Sequence, residues 1–232
     1  MFKCDRCGIC CKKVYKSNIY RYLDRGDGVC IYFDCKTNLC TIYKNRPNIC
    51  NIDIAYKEYF ADIYSLEEYY TINYYACIVL KWEEKKMSDI KVALKEKFES
   101  IFGYECGDDY EPRVRNARSI ICQGKYSKND IIEIWDTSMM GNGKSGLVLT
   151  VDSVCVKDTG NYTSKFIAKY EDIDYTRIEE DSFLGMDMTT LNLEMKYGST
   201  YKISIDKFNK HDLMDFIDYA ISLYGEEDKL EW

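Results

Sequence analysis

The feature that most restricts this chain is where its cysteines fall. Nine of its 12 cysteines lie at or before Cys77, opening with the run Cys4-x-x-Cys7-x-x-Cys10-Cys11. Cys30, Cys35 and Cys40 follow at even spacing, then Arg46-Pro47-x-x-Cys50, then Cys77. A tight turn brings two sulfurs of a C-x-x-C pair onto one ion, and Gly8 supplies the backbone freedom such a knuckle uses. Side chains of adjacent residues diverge, so Cys10 and Cys11 are expected to reach different ions. Eight sulfurs suffice for two four-thiolate sites. Each structural zinc contributes ~10–16 kcal/mol of apparent binding energy, enough to organise a small polar region. Iron competes, because C-x-x-C-x-x-C also opens the bacterial ferredoxin run. Here, however, the fourth cysteine follows at once and no Cys-Pro comes after it.

Compartment decides how such cysteines are read. No apolar run approaches the ~18 residues of a membrane-spanning helix. The opening MFKCDRCGICCKK has polar residues and cysteines where a signal peptide carries an apolar stretch. The expectation is a cytoplasmic protein, where thiols serve as metal ligands, redox groups or small buried side chains in preference to disulfides. The composition suggests an AT-rich bacterial genome. The single histidine, His211, excludes His-rich metal sites and reads as an exposed residue opening a helix.

Charge divides the chain where cysteine density does. Residues 1–87 hold 14 Lys and Arg against 11 Asp and Glu, whereas 88–232 hold 18 against 28. Eight thiolates outweigh two divalent cations, so the basic excess of the first region balances ligand charge and does not mark a nucleic-acid surface. The expected domains are 1–87, cysteine-rich and metal-organised, and 88–232, largely β with a connecting helix and a C-terminal helix.

Within the first region, Ser65-Leu66-Glu67-Glu68 fits a capping box. Tyr69, Ile72, Ala76 and Leu80 then recur at helical spacing, Cys77 shares that helix, and Met87-Ser88 reads as the junction. A short helix carrying Val92, Lys95, Phe98 and Phe102 follows. Strands are expected from Ile132, over Gly146–Thr150 and Val154–Val156 as a hairpin, over Phe166–Ile178, over Leu191–Met195, and over Tyr201–Ile205 after a Tyr197-Gly198-Ser199 turn. Leu213, Phe216, Ile217, Ala220, Ile221 and Tyr224 define a closing helix capped near Gly225.

Phe2-x-Cys4-x-x-Cys7-Gly8-x-Cys10-Cys11, Gly28-Val29-Cys30, Cys40-Thr41-Ile42-Tyr43, Arg46-Pro47-x-x-Cys50 and Asn73-Tyr74-x-Ala76-Cys77 together resemble the bacterial CxxCxxCC family, described as a zinc- or iron-chelating domain. The resemblance covers residues 1–86. It implies the ligands Cys4, Cys7, Cys10, Cys11, Cys30, Cys40, Cys50 and Cys77, holding about two zinc ions or, alternatively, an iron–sulfur cluster. Cys35 falls where the family has another residue. Some larger relatives are flagellin lysine N-methylases, but no glycine-rich cofactor loop accompanies the motif here.

Gly143-Lys144-Ser145 imitates a phosphate-binding loop, yet the position five residues before Gly143 is Ser138 and the segment separates two strands. A hairpin loop is expected. Glu179-Glu180-Asp181 reads as solvated charge in a polar loop. Trp135-Asp136-Thr137, Gly143–Leu147, Lys169–Ile173 and the closing helix resemble a bacterial PH-like domain over about 110–225. The expected fold class is therefore α+β: a small metal-organised helical and loop domain, then a PH-like antiparallel β-barrel or sandwich with a C-terminal helix. The resemblance implies a protein partner, and the acidity of this half disfavours membrane and nucleic acid. The expected function is a metal-binding adaptor or immunity-type module. An iron–sulfur redox protein or metal-dependent enzyme is the alternative, disfavoured because catalytic zinc keeps an open position.

Overall fold

The computed structural model describes residues 1–158, 165–183 and 186–225. Residues 226–232 of the expected second domain lie outside them. The fold is mixed α and β, and the chain divides into two compact units, Met1–Ser88 and Asp89–Trp232.

Ahead of Leu66 the regular structure of the first unit is short. Helix α1 (Ile9–Lys12) is a single turn, β1 (Phe33–Asp34) and β2 (Leu39–Cys40) form a two-residue antiparallel hairpin, and α2 (Ile52–Ala55) is another single turn. The buried residues Val14, Leu23, Cys30 and Phe33 form the core, with Cys11, Tyr20, Val29, Tyr32 and Cys50 packed on it. So small an apolar cluster gives little stability unaided.

Helix α3 (Leu66–Phe102) then runs for 37 residues. Its start is the expected capping box: the Ser65 amide donates to Glu68 Oε2 at 2.8 Å, and the Glu68 amide donates to Ser65 Oγ at 3.3 Å. The expected break at Met87-Ser88 does not occur, and the boundary between units falls inside a continuous helix. Nothing there interrupts it, because the chain's two prolines are Pro47 and Pro112 and the helix holds no glycine. Of its expected apolar positions Tyr69 and Phe98 are buried but Ile72 and Val92 are exposed, and Ile90 and Leu94 are buried in addition.

The second unit adds α4 (Glu111–Asn116), which starts Glu111-Pro112, and a wider helical turn over Ala117–Ile121. Strands β3 (Ile131–Asp136), β4 (Gly146–Thr150), β5 (Ser153–Lys157) and β6 (Lys165–Lys169) make one antiparallel sheet in sequence order. Every residue of β4 is buried, as both faces of that sheet are covered. Val148 and Cys155 pack on Val114, Ala117, Ile121 and Cys122.

Strands β7 (Ile173–Phe183), β8 (Met186–Met195) and β9 (Thr200–Ile203) make a second antiparallel sheet, and α5 (Lys210–Gly225) closes the described chain. Phe98 meets Phe216 of α5 edge-on, with ring centroids 5.9 Å apart. The rings of Phe166 and Tyr201 stack at 4.5 Å between the two sheets.

Three expectations are corrected in this unit. Among the described residues the sheets are open and no barrel closes. The run Phe166–Ile178 is two strands in different sheets, because Tyr170–Asp172 forms a helical turn anchored by the Tyr170 amide to the Asp152 carbonyl at 2.9 Å. Glu179-Glu180-Asp181 lies within β7 and not in a loop, with Glu179 accepting from Asn192 and Lys202, each at 3.1 Å. His211 does stand exposed in the first turn of α5.

Candidate thiolate metal centre

The knuckle Cys4–Cys11 is shaped by Gly8, which has φ of +73° at the start of α1. A Cβ there would stand 2.7 Å from the Phe33 ring and 2.9 Å from the Asn38 carbonyl. The glycine therefore allows both the turn and the close approach of the β1–β2 hairpin. Asn38, itself at φ +58° in the hairpin turn, donates its side-chain amide to the Cys7 carbonyl at 3.1 Å. Cys40 sits opposite Phe33 in the hairpin register. The Asn38 side chain and the hairpin ladder thus bring the Cys4–Cys11 run and Cys40 into one small region.

All 12 cysteines are free thiols. Cys10 and Cys11 share a hydrogen bond that, together with the positive charge of Arg46, brings Cys10 down to about 7 against its burial. The same hydrogen bond raises Cys11, followed by burial and by the charges of Cys10, Cys30 and Cys40. Burial pushes Cys50 up to about 11, with Cys30, Cys10 and Cys40 adding to it and Arg46 opposing. Burial raises Cys30 as well, with Cys40 and Cys10 contributing. Cys77, on α3, is raised by burial and then by Cys10, Cys4 and Cys7. Each of the eight sequence-assigned cysteines therefore lies within the electrostatic reach of others in the set. Cys10 is exposed as a residue although its sulfur is crowded by surrounding chain.

Proximity is not coordination. Among the described residues no three His, Cys, Asp or Glu side chains stand together in a geometry that holds a metal ion. The donor set nevertheless suits a thiophilic cation: soft sulfur ligands, mutually repelling once ionised, with few carboxylates among them. Cys35 stands apart from this pattern, its exposed sulfur accepting from Arg25 at 3.5 Å. Cys106, Cys122 and Cys155 are buried in the second unit. Cys155 is raised by a hydrogen bond with Cys122 and by burial.

The sequence marked Arg46 and Tyr43 only as motif positions beside the cysteines, and gave no part to the charged residues around the thiols. Arg46 and Arg6 both lie over the Tyr43 ring, at 4.2 and 4.4 Å from its centroid. Arg46 Nε is buried without a hydrogen-bond partner. Lys12 and Lys13 pair with Glu84 at 3.4 and 3.5 Å, and Lys16 pairs with Glu83 at 2.5 Å. Lys81 pairs with Asp5. The signal for these was present as the basic Lys12-Lys13-x-x-Lys16 cluster and the acidic Glu83-Glu84 pair six residues after Cys77.

The described chain is a cysteine-rich unit joined in sequence to an antiparallel β unit with a closing helix. No family model, curated protein or solved structure matches the chain. Among the described residues no helix is long and apolar enough to cross a membrane.

Proposed function

We propose that residues 1–88 bind metal through thiolates, as a structural or metal-sensing zinc module of about two ions. The observation that carries this reading is Arg46. Its buried Nε–H has no acceptor, and its positive charge acts on Cys10 and Cys50. An unpartnered buried donor costs about 1–3 kcal/mol, and thiolate sulfurs on a bound ion are the acceptors that would relieve it. Cys4, Cys7, Cys10, Cys11, Cys30, Cys40, Cys50 and Cys77 are the proposed ligands, and the CxxCxxCC resemblance supports the same set. The metal would supply the cross-links that so small an apolar core needs.

The second unit is proposed to engage a protein. Support comes from the PH-like order of four antiparallel strands, then three, then a helix. Exposed Met139 and Met140 on the β3–β4 loop add adaptable apolar contact surface.

Elemental analysis and visible absorbance of the purified full chain test the metal. A colourless protein with about two zinc per chain is expected. A brown protein with iron and inorganic sulfide would replace zinc by an iron–sulfur centre, and a metal-free protein would end the reading.

A further inference from the structure

Within the first unit, α3 carries apolar side chains on two faces, and one of them is already occupied. Tyr70, Tyr74, Cys77 and Lys81 recur at steps of four, three and four, so they share one side of the helix. That side meets the N-terminal segment. Tyr70 and Tyr74 pack on the Phe2 ring, with centroids 5.7 and 4.3 Å apart. The Lys3 amide donates to Tyr74 Oη at 3.2 Å, and Lys81 pairs with Asp5. Ile72, Tyr75, Val79 and Trp82 recur at steps of three, four and three, and their stripe is centred about 150° away round the axis. Val79 is half-buried, but Ile72, Tyr75 and Trp82 are exposed, and Ile78 at their flank is 64% exposed. Contiguous apolar surface of this kind marks an interaction site.

Charge at the two ends of the stripe specifies its occupant. Glu68 lies four residues before Ile72, and Lys86 lies four residues after Trp82. Both continue the alternating spacing of a two-helix seam, with an acid at its N-terminal end and a base at its C-terminal end. Turning the stripe end for end sets Glu68 on Lys86, Ile72 on Trp82 and Tyr75 on Val79. All three pairs share one midpoint, at position 77, so the apolar pattern and the charge pattern have the same centre. Ile78 stands beside that centre on the flank of the seam, where it would meet its own counterpart. Glu68 Oε2 is held by the Ser65 amide and hydroxyl at 2.8 and 2.7 Å, and Lys86 Nζ lies 5.1 Å from the Trp82 ring centroid. Those contacts hold both charges on α3 at the ends of the stripe. A parallel pairing would instead oppose acid to acid and base to base.

We propose that this face of α3 binds a second copy of the chain, helix against antiparallel helix, about a two-fold axis at position 77. The contact is isologous, so each pair occurs twice and the surface needs no complement but itself. Burial of the apolar rows supplies the association. The end charges are exposed or half-buried and add little affinity, but they select the antiparallel orientation. Cys77 belongs to the side of α3 that meets the N-terminal segment, so the contact does not depend on whether the thiols hold metal.

Sedimentation equilibrium of the full chain over a concentration series tests this, with circular dichroism to check that each variant folds. A reversible monomer–dimer equilibrium is expected. Ile78→Lys puts two like charges together at the centre and should weaken association at least ~tenfold. Lys86→Glu opposes two acids at each end and should weaken it in the same way. Adding Glu68→Lys to Lys86→Glu restores opposite charges and should bring the constant back to within about threefold of wild type, although the capping box is lost. A chain that stays monomeric up to ~100 μM would leave the stripe to a different protein and overturn the proposal. A dimer that Ile78→Lys leaves intact would lie on another surface, with the same consequence. A dimer weakened by Ile78→Lys but indifferent to Lys86→Glu would use this face in another orientation and overturn the antiparallel pairing.

Discussion

The backbone amide of Cys30 donates to the carbonyl of Cys11 at 2.7 Å, tying the middle of the cysteine pattern to the end of its first run. This bond belongs to the peptide backbone, so it does not depend on either thiol. The cysteine unit therefore holds part of its cysteine arrangement through main-chain geometry, and that geometry is open to mutation independently of the thiols.

Gly8→Ala should be among the most damaging changes that leave every cysteine in place. It puts a side chain at φ +73° and 2.7 Å from the Phe33 ring. Left-handed backbone and overpacking together should cost about 2–3 kcal/mol. Thermal unfolding and chelator competition against zinc should both show the loss. Wild-type behaviour in both would mean that the hairpin does not press on the knuckle.

Ser65→Ala removes the acceptor for the Glu68 amide at the start of α3. A loss of about 1 kcal/mol is expected, confined to the first turn. Hydrogen exchange at the Glu68 amide should accelerate several-fold, while amides near Phe98 keep their protection.

Cys155→Ala and Cys35→Ser should leave the metal count unchanged. Cys155 is wholly buried among Val148, Ile121 and Cys122, so its truncation should cost about 1–2 kcal/mol. Cys35 is exposed, and its replacement should be close to neutral. Elemental analysis of the two variants checks both statements, and a lost zinc in either would redraw the ligand set.

Asp136 gives the second unit an acid-sensitive point. Burial pushes its carboxyl up, but the Ser138 hydroxyl and amide, the Gly143 amide and Arg113 together bring it below its ordinary value of 3.8. A carboxyl depressed by folding stabilises above the unfolded value, and that stability is lost as pH falls through the folded value. Asp136→Asn should cost about 1–3 kcal/mol at neutral pH, since an amide cannot accept at both positions. Its melting temperature should also fall less than that of the native chain as pH drops from 5 toward 3.

Local signals in the sequence reached the structure largely intact. Ser65 and Glu68 form their capping box, Gly198 makes its turn, and Leu213, Phe216, Ile217 and Ala220 are buried on α5. Readings that needed tertiary partners fared worse. Tyr69, Ile72, Ala76 and Leu80 suggested a buried face, yet Ile72 is exposed and the stripe through Tyr74 and Cys77 meets the N-terminal segment. Tyr170 continues an alternating pattern, so nothing local revealed the turn that sends the chain to a second sheet. The cysteine spacing pointed to the thiols but not to Asp5 or Lys81, whose pairing joins chain far apart in sequence.

The β3–β4 loop resembles a phosphate-binding loop in sequence, and Asp136 explains why it does not need a phosphate. One Asp136 oxygen accepts from the Ser138 amide at 2.8 Å and the other from the Gly143 amide at 2.7 Å. Arg113 adds its charge, with Nε 3.6 Å from the same carboxylate. The loop thus carries its own anion, covalently attached and always present at full occupancy. A nucleotide arriving there would compete with a resident guest that cannot diffuse away.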